Sequence, residues 1–528
     1  MPDEAAVQKL NVRCCIAGGG PAGMVLAYLL ARSGVEVLVL EKHADFLRDF
    51  RGDTIHPSTL EVMFELGLLE EFLKLPHTEL RDIGAQIGDV QFTLGDFTHL
   101  PTHCKFVALM PQWDFLNFMA DRAKRYPEFN LRMQAEVTDL ILDGDRVIGV
   151  RAKTLLGPLE VRAELVIGAD GRRSVVRETA GLQVQNLGSP IDVLWMRISR
   201  KPSDPLQTLG HVDSGCILVQ IQRGDYWQCA FVIPKDGIDA LRERGLPAFR
   251  EEIARLSPYL RDRVGELKTW DDIKLLTVTV DRLKQWYRPG LLCIGDAAHA
   301  MSPIGGVGIN LAIQDAVAAA NILAPAFLRG LEPGIIPVMD ALGPELSTEG
   351  GTLPAAIAMG MTLAPAGVPS GQIGIAHKPI TRGGALQAVA GNDFPDFRFM
   401  RRGNQPIGKP RAGSVDGSAG RSPVAENTRA DSEPEPAYST VTVDDLAAVQ
   451  QRREFPTRAM QRLQVLIQNR VISHVLASKK QMRLPWPIKL LIRFPVLRRI
   501  PAYVVGIGFR PEHVHTEDAT SVSPTESN

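Results

Sequence analysis

Residues 12–23 read VRCCIAGGGPAG, and this stretch decides how the first part of the chain folds. An apolar run typical of a buried strand passes into three glycines, and a helical pattern begins at Pro21. A second apolar run, VEVLVL at 35–40, ends at Glu41. A strand, a tight turn, a helix and a strand within about thirty residues predict a βαβ unit. We therefore predict an α/β fold built on a parallel sheet.

The glycines of this turn have the G-x-G-x-x-G spacing of a dinucleotide-binding motif. Gly18 permits the tight turn, Gly20 leaves room for a pyrophosphate against the backbone, and Gly23 lets the helix pack closely on the strand. The motif occurs in the required context, after a strand and at the start of a helix. It predicts a bound dinucleotide but does not separate FAD from NAD.

Further residues around the turn support this prediction. Pro21 and Ala22 open the helix, whose free N–H groups favour a bound phosphate. Glu41 ends the second strand, just before Lys42, and is placed to accept hydrogen bonds from the ribose hydroxyls. Its negative charge argues against a 2′-phosphate at this position.

Two later segments also have a strand that ends in a glycine and an aspartate. Residues 166–177 read VIGADGRRSVVR, and residues 293–310 read CIGDAAHAMSPIGGVGIN. In the second segment a loop of proline and glycine follows, and a long helix begins near Asn310. Asp296 at the strand end can bind a ribose or ribityl hydroxyl. The start of the helix would stabilise negative charge on a reduced ring.

In this order and spacing the three segments resemble the single-component class A flavoprotein monooxygenases, the FAD-dependent aromatic hydroxylases built like p-hydroxybenzoate hydroxylase. The resemblance covers about residues 1–330 and 441–515. It implies FAD as a tightly held cofactor, NAD(P)H as a transient reductant and O2 as co-substrate. It also implies hydroxylation of an aromatic or polyketide-like small molecule through a flavin C4a-hydroperoxide. A second strand-turn-helix dinucleotide motif is absent from the sequence, which fits that family.

The resemblance also implies a set of site residues. The cofactor-binding residues are Gly18, Gly20, Pro21, Ala22, Gly23, Glu41, Lys42, Arg51, Gln112, Asp170, Gly171, Gly295, Asp296, Gly308, Ile309 and Asn310. Arg51 would reach the FAD from the loop after the second strand, and Gln112 would touch its flavin side. A surface arginine and a helix-capping glutamine are the alternatives. Ile309 and Asn310 would meet the flavin pyrimidine edge, and the carbonyl of Pro303, the one catalytic residue, would steady the hydroperoxide proton.

The pattern along the chain predicts four regions. They are an FAD-binding domain (1–80, 102–188 and 275–330), a β-sheet substrate domain (81–101 and 189–274), a largely disordered low-complexity insert (331–440) and a C-terminal helical region with a disordered end (441–528). Runs such as GCILVQIQ and YWQCAFVIP predict the sheet, with one helix near 238–256. Thr442 and Asp445 resemble a capping box, followed by a helix to about Ile472.

Several residues have plainer interpretations. His299 and His56 are expected to be buried structural residues rather than bases. Trp195, Gln220 and Trp227 alternate on predicted strands and would line a pocket over the flavin, but core packing or a solvated face is the favoured interpretation.

Composition excludes several functions. The six cysteines are scattered without a Cys-x-x-Cys pair, which argues against a metal site or a disulfide framework and favours a reducing cytoplasm. The net charge of −1 gives no reason to expect nucleic acid. We expect no signal peptide and no transmembrane segment, because no uncharged apolar run reaches about 18 residues. Residues 484–510 mix apolar and basic side chains; docking is favoured over weak membrane contact because prolines interrupt the helix.

Other functions share this fold. Flavin halogenases carry a G-W-x-W-x-I-P segment, and the sequence has none. Reductases of prenyl chains, quinone-pathway hydroxylases and a flavin-binding protein without turnover remain alternatives to the hydroxylase.

Overall fold

The chain begins with the predicted βαβ unit and continues into two large sheets. The computed structural model describes residues 6–47, 54–205, 209–213, 215–329, 440–478 and 484–520. Its strands are β1 (Gln8–Ala17), β2 (Val37–Glu41), β3 (Thr54–Ile55), β4 (Thr78–Leu80), β5 (Asp82–Ile87), β6 (Val90–Asp96), β7 (Val107–Leu109), β8 (Phe129–Met133), β9 (Glu136–Asp143), β10 (Arg146–Thr154), β11 (Gly157–Gly168), β12 (Val184–Asn186), β13 (Ile191–Ser199), β14 (Leu209–Asp213), β15 (Cys216–Arg223), β16 (Tyr226–Pro234), β17 (Lys274–Leu276), β18 (Asp281–Leu283), β19 (Tyr287–Arg288) and β20 (Leu291–Cys293).

Twelve α-helices are present in the described residues. They are α1 (Pro21–Arg32), α2 (Pro57–Glu65), α3 (Leu69–Phe72), α4 (Gln112–Ala123), α5 (Val175–Thr179), α6 (Ile238–Glu243), α7 (Leu246–Leu256), α8 (Gly308–Phe327), α9 (Val443–Ile467), α10 (Ser473–Ala477), α11 (Trp486–Arg493) and α12 (Arg499–Gly506). The predicted disordered insert at 331–440 lies outside the described residues, except for Thr440.

The first sheet has the order β19-β20-β11-β1-β2-β8. Strand β1 pairs in parallel with both β11 and β2, and helix α1 connects β1 to β2. All five residues of β2 are buried, as expected for a parallel strand covered on both faces. The predicted βαβ unit is therefore confirmed. The three strand ends that carry the glycine-rich motifs lie side by side at one edge, where α/β sheets bind ligands.

The structure also has turns and helix breaks at glycines that the sequence pattern indicates. An Asp-Gly-Asp turn at 143–145 between two alternating runs predicts antiparallel hairpins. Strands β9, β10 and β11 form them, with Gly144 at φ +54° in that turn. The amphipathic pattern of residues 58–75 predicts a helix pair broken at Gly67. Helices α2 and α3 are separated there, and Gly67 has φ +69°. The single helix predicted near 238–256 is wrong. It is two helices, because Gly245 at φ +84° separates α6 from α7.

The second sheet has the order β17-β13-β16-β15-β14-β5-β6. The parallel pair β14 and β5 joins two stretches that lie far apart in sequence. Trp227 and Gln220 are fully buried beneath the α7 side of this sheet, which confirms core packing for both. Trp195 lies on the opposite face of the sheet, which packs against Ile304, the end of α9 and α10.

Helices of the C-terminal region pack against elements from the first part of the chain. Thr442 and Asp445 form the predicted capping box of α9, and α9 packs along α8. A π-helical turn, Gln468–Ile472, then leads into α10. Further on, the fully buried Ala502 of α12 packs against Phe97 beside β6. Docking is therefore confirmed for α12, which packs against β6 and, through Val504 and Val505, against the start of α8.

One helical stretch among the described residues is long and apolar enough to cross a membrane. It is Ile304–Phe327, and 78% of its apolar window is buried within the protein. A core helix has these properties, so this stretch is weak evidence for a membrane span.

Candidate functional site

The β1–α1 turn has the geometry that the glycine motif predicts. Gly18 has φ +106°, and a Cβ on it would lie 2.4 Å from the Ala169 carbonyl oxygen. A Cβ on Gly23 would lie 2.0 Å from the Gly18 carbonyl oxygen, so both positions require glycine. A Cβ on Gly20, in contrast, would meet no protein atom within 4 Å. The space in front of Gly20 is open although its neighbours are tightly packed.

The Glu41 carboxylate holds the turn from the end of β2. It accepts hydrogen bonds from the backbone N–H of Gly19 (2.9 Å) and His43 (3.1 Å) and from Nδ1 of His43 (2.5 Å). Burial raises the pKa of Glu41, but these hydrogen bonds outweigh it, so the pKa lies below its usual value. Lys42, beside Glu41, is exposed.

The Asp-Gly segment at the end of β11 contains an unsatisfied acceptor and an unsatisfied donor. Oδ2 of Asp170 accepts a hydrogen bond from the Val176 N–H at 3.2 Å, whereas its buried Oδ1 has no partner among the described residues. Nη1 of Arg172 is likewise buried without one. Burial raises the pKa of Asp170. Gly171 follows at φ +83°. Buried polar groups are rarely left unpaired, so this pair indicates a site for a polar ligand.

The Gly-Asp segment after β20 lies next to it. Nε of Arg172 contacts Oδ2 of Asp296 at 3.4 Å, so the two segments meet through their side chains. Gly295 has φ +59°, and a Cβ there would lie 3.1 Å from the Ala22 Cβ and 3.2 Å from the Ala312 Cβ. The lack of a side chain at Gly295 therefore lets α1 and α8 converge behind the site.

The start of α8 is anchored by Asn310. Its Oδ1 accepts hydrogen bonds from the His56 N–H (2.9 Å) and the Thr59 hydroxyl (2.7 Å), and its Nδ2 donates to the Thr54 carbonyl (3.1 Å). Gly308, Ile309 and Asn310 form the first turn of α8, and no side chain caps it. Its free N–H groups are therefore available to a ligand.

The loop that carries Pro303 is held by glutamines of α9. Gln461 donates to the Ala300 carbonyl (3.1 Å), and Gln464 donates to the carbonyls of Ser302 (3.0 Å) and Ile304 (2.9 Å). The Pro303 carbonyl accepts a hydrogen bond from the Gly306 N–H at 3.0 Å, which leaves it one further acceptor position. The proposed role of Pro303 stays a prediction.

The other predicted site residues have different outcomes. Arg51 lies outside the described residues. Gln112 is the first residue of α4, where it is partly exposed. Both assignments stay predictions.

A buried charge network, which the sequence did not indicate, supports the Gly-Asp segment. Oδ2 of Asp315 accepts from the Gly295 N–H (3.0 Å) and pairs with Nε2 of His299 (2.5 Å). Oδ1 of Asp315 pairs with Nε of Arg453 (3.0 Å), whose Nη1 contacts Glu512 (3.4 Å). Burial raises the pKa of Asp315, but His299 and Arg453 outweigh it, so the pKa lies below its usual value. His299 is thus a buried structural residue, as predicted.

His56 is a buried structural residue too. Its Nδ1 lies 2.7 Å from the Val505 carbonyl oxygen, and burial lowers its pKa to about 4. The folded protein holds this histidine neutral while the unfolded chain protonates it near its ordinary pKa of about 6.5. The unfolded state therefore binds more protons between these values, and the folded state loses stability as the pH falls from about 6.5 to about 4.

We expect this loss to be on the order of 3 kcal/mol at His56. Denaturant unfolding of the His56→Gln variant across this pH range should show a correspondingly flatter pH dependence than the wild type. The exposed His515 provides the control, since His515→Gln should leave the pH dependence unchanged. Equal slopes for wild type and His56→Gln would contradict the assignment.

The sequence of the chain matches the model of a known protein family. The FAD binding domain family matches residues 11–332, a range that contains all three glycine-rich segments. The chain belongs to this family. It is an FAD-dependent monooxygenase, with the α/β fold and the inserted sheet of that class.

Curated relatives and solved structures agree with the family match. The chain is 34% identical over 317 residues to 6-methylpretetramide 4-monooxygenase of Streptomyces rimosus, covering 60% of this chain and 76% of that protein. It is 29% identical over 316 residues to dialkyldecalin synthase of Streptomyces rugosporus, covering 57% and 63%. The fold is similar to that of PqsL, a probable FAD-dependent monooxygenase from Pseudomonas aeruginosa, with 22% identity, a TM-score of 0.52 and coverage of 61% and 88%.

The residues at the site fit FAD. The open space before Gly20, the uncapped starts of α1 and α8 and the unpaired Asp170 Oδ1 and Arg172 Nη1 all lie on the three matched segments. A dinucleotide with a pyrophosphate and several hydroxyls supplies the acceptors and donors that these groups lack.

Proposed function

We propose that this monooxygenase hydroxylates an aromatic, polyketide-like small molecule, with NAD(P)H as reductant and O2 as second substrate. The observation that carries the proposal is the 34% identity to 6-methylpretetramide 4-monooxygenase over 317 residues. The chain also matches a dialkyldecalin synthase, a relative that is not named as an oxygenase. The experiment must therefore test the transfer of oxygen itself.

The proposed roles of the residues follow from their positions. The amides behind Gly20 at the start of α1 bind the FAD pyrophosphate, and Glu41 binds a ribose hydroxyl. Asp170 and Asp296 accept hydrogen bonds from further hydroxyls of the cofactor. The N–H groups at the start of α8 would stabilise negative charge on the flavin. FAD supplies the redox chemistry, and the protein supplies binding, orientation and exclusion of water.

The second sheet provides a wall for the substrate. Trp195 lies on the face that packs against Ile304, one residue after Pro303, and its buried indole Nε1 has no partner among the described residues. This N–H is the donor we assign to an oxygen of the substrate. The apolar side chains around it keep water from the reacting atoms.

Steady-state oxidation of NADH and NADPH by the purified yellow protein tests the substrate class. Polycyclic phenols should stimulate oxidation several-fold and yield an oxygenated product, and they should do so more than monocyclic phenols. Stimulation by monocyclic phenols alone would overturn the polyketide-like assignment. Absence of bound flavin, or no reduction at any NAD(P)H concentration, would overturn the function.

We further propose that the protein resides in the cytoplasm and touches anionic membranes weakly through the segment 484–510. Around α11, Trp486 is 76% exposed and Phe494 is 53% exposed. Exposed Lys489 and Arg493 lie among them. An apolar surface flanked by cations suits the headgroup region of an anionic bilayer, where a lipophilic substrate would also concentrate.

Co-sedimentation with vesicles that contain phosphatidylserine tests the membrane contact. Replacing both Trp486 and Phe494 with alanine should reduce the bound fraction at least about tenfold, because two large apolar side chains no longer insert. Leu155→Ala removes an equally exposed apolar side chain from the β10–β11 turn and should change nothing. Equal losses for both variants, or no wild-type binding, would rule out this surface.

A further inference from the structure

A cavity lies between α9 and the β12–β18 pair, and none of its lining residues belongs to the proposed FAD site. Its volume is about 450 Å³. The residues that line it are Gln185, Leu187, Arg282, Arg458, Arg462, Val465, Leu466, Asn469 and Arg470. Four of the nine are arginines, and none is acidic, in a chain whose net charge is −1. The lining of this cavity is therefore cationic although the chain as a whole is nearly neutral.

The positive charge of this arginine cavity is largely uncompensated among the described residues. Arg458 pairs with Glu454 at 3.2 Å. Arg282, Arg462 and Arg470 have no carboxylate within 4 Å in the described part of the chain. Burial, followed by repulsion from Arg458 and Arg462, lowers the pKa of Arg282, and Glu454 offsets only part of this effect. Four arginines and one glutamate leave three positive charges.

Arg282 is built into the wall rather than extended into solvent. It is only 9% exposed, and two neutral amide oxygens hold its guanidinium. Nη1 donates to Oε1 of Gln461 at 3.0 Å, and Nη2 donates to Oε1 of Gln185 at 2.8 Å. Keeping a guanidinium buried without a counter-ion is costly, so the fixed orientation indicates that an anion from outside the protein completes the cluster.

Arg282 also connects the cavity with the loop that carries Pro303. Gln461 accepts from Arg282 and donates to the carbonyls of Asp281 (2.7 Å) and Ala300 (3.1 Å). Two residues on from Ala300, Ser302 is held by Gln464 of the same helix. A ligand that binds Arg282 therefore contacts the same hydrogen-bond network that positions the loop.

We propose that the arginine cavity binds a ligand through its phosphate groups. One carboxylate would neutralise only one of the three excess charges, whereas a diphosphate neutralises about two as the bridge of a dinucleotide and about three as a terminal group. Guanidinium groups bind phosphate oxygens in pairs, which suits a cluster of fixed arginines. Leu187, Val465 and Leu466 provide an apolar wall for the organic part of the ligand. A nicotinamide dinucleotide and a free phosphorylated metabolite both have this chemistry, and the inference does not depend on hydroxylation.

The test uses the FAD-saturated full-length chain and inorganic pyrophosphate, so that the FAD site is filled. Calorimetric titration at low ionic strength should show binding to the wild type. The variant with both Arg462→Gln and Arg470→Gln should bind at least tenfold more weakly, with unchanged FAD content and melting temperature because both side chains are exposed. The control Arg261→Gln removes an exposed arginine that pairs with Glu251 and should bind as the wild type does.

Kinetics distinguish the two sources of phosphate. If the ligand is the nicotinamide dinucleotide, pyrophosphate competes with NAD(P)H, and the double variant has a raised KM for it with little change in kcat. If the ligand is a free phosphorylated metabolite, the double variant loses pyrophosphate binding while the KM for NAD(P)H is unchanged. No pyrophosphate binding to the wild type, or equal binding to the double variant, would overturn the proposal.

Discussion

The Gly20→Ala variant should lose FAD while it keeps its fold. A Cβ at Gly20 meets no protein atom within 4 Å, and the backbone there (φ −74°, ψ −177°) suits any residue. The methyl group would occupy the space assigned to the pyrophosphate. We expect the Kd for FAD to rise at least about 100-fold, which corresponds to about 2.7 kcal/mol, while the free energy of unfolding without FAD changes by about 1 kcal/mol or less.

Gly23→Ala serves as the contrasting variant. A Cβ there would lie 2.0 Å from the Gly18 carbonyl oxygen, so this substitution should reduce both FAD content and stability, by roughly 3 kcal/mol or more. Flavin fluorescence titration and denaturant unfolding measure the two effects separately. Wild-type FAD affinity in Gly20→Ala would show that the cofactor does not lie against this turn.

The second large effect is expected from the buried charge network behind the Gly-Asp segment. Asp315→Asn removes the charge that Arg453 and His299 share and weakens the hydrogen bond to the Gly295 N–H. Breaking one partner of a buried ion pair leaves an uncompensated charge, which costs about 3–5 kcal/mol. We expect this loss in denaturant unfolding, together with weaker FAD binding because Gly295 and Asp296 lose their support.

A surface pair provides the comparison. Asp139 lies 3.8 Å from Arg151 and both side chains are exposed, so Asp139→Asn should cost less than about 1 kcal/mol and leave FAD binding unchanged. If Asp315→Asn unfolds at the wild-type denaturant concentration, the network has no such role.

Local signals in the sequence predicted the parts of the fold that depend on near neighbours. The glycine turn, the Asp-Gly-Asp hairpin and the Thr442 capping box each need only residues within one turn or one hairpin. The packing roles of Gly18 and Gly23 were predictable for the same reason, because the tight turn leaves no room for a side chain there. The close approach of Ala22 and Ala312 to Gly295 was not predictable, because both are distant from it in sequence.

Contacts between distant residues were not predictable from the pattern. Arg453 meets Asp315 across 138 residues of sequence, and nothing near either residue indicates the other. Gln461, Gln464 and Gln468 recur at helical spacing and are all buried, but a polar stripe on an amphipathic helix ordinarily indicates a solvated face. Gln461 and Gln464 donate to backbone carbonyls of the Pro303 loop and Gln468 donates to the Ser302 hydroxyl, and only the folded chain brings these groups within reach.

The unpaired groups of Asp170 and Arg172 show the same limit. The sequence indicated the Asp-Gly pair and the arginines after it, yet an unsatisfied buried atom is a property of packing. That packing observation links the glycine-rich segments to a ligand independently of any resemblance.

As a monooxygenase, this protein should transfer one atom of O2 to an organic substrate. The most direct measurement is mass spectrometry of the product formed from a polycyclic phenol under isotopically labelled oxygen, with NAD(P)H and the purified yellow protein. We expect one labelled oxygen atom per product molecule and a matching consumption of NAD(P)H. A product that carries no label, or NAD(P)H consumption that yields only hydrogen peroxide with every phenol, would contradict it.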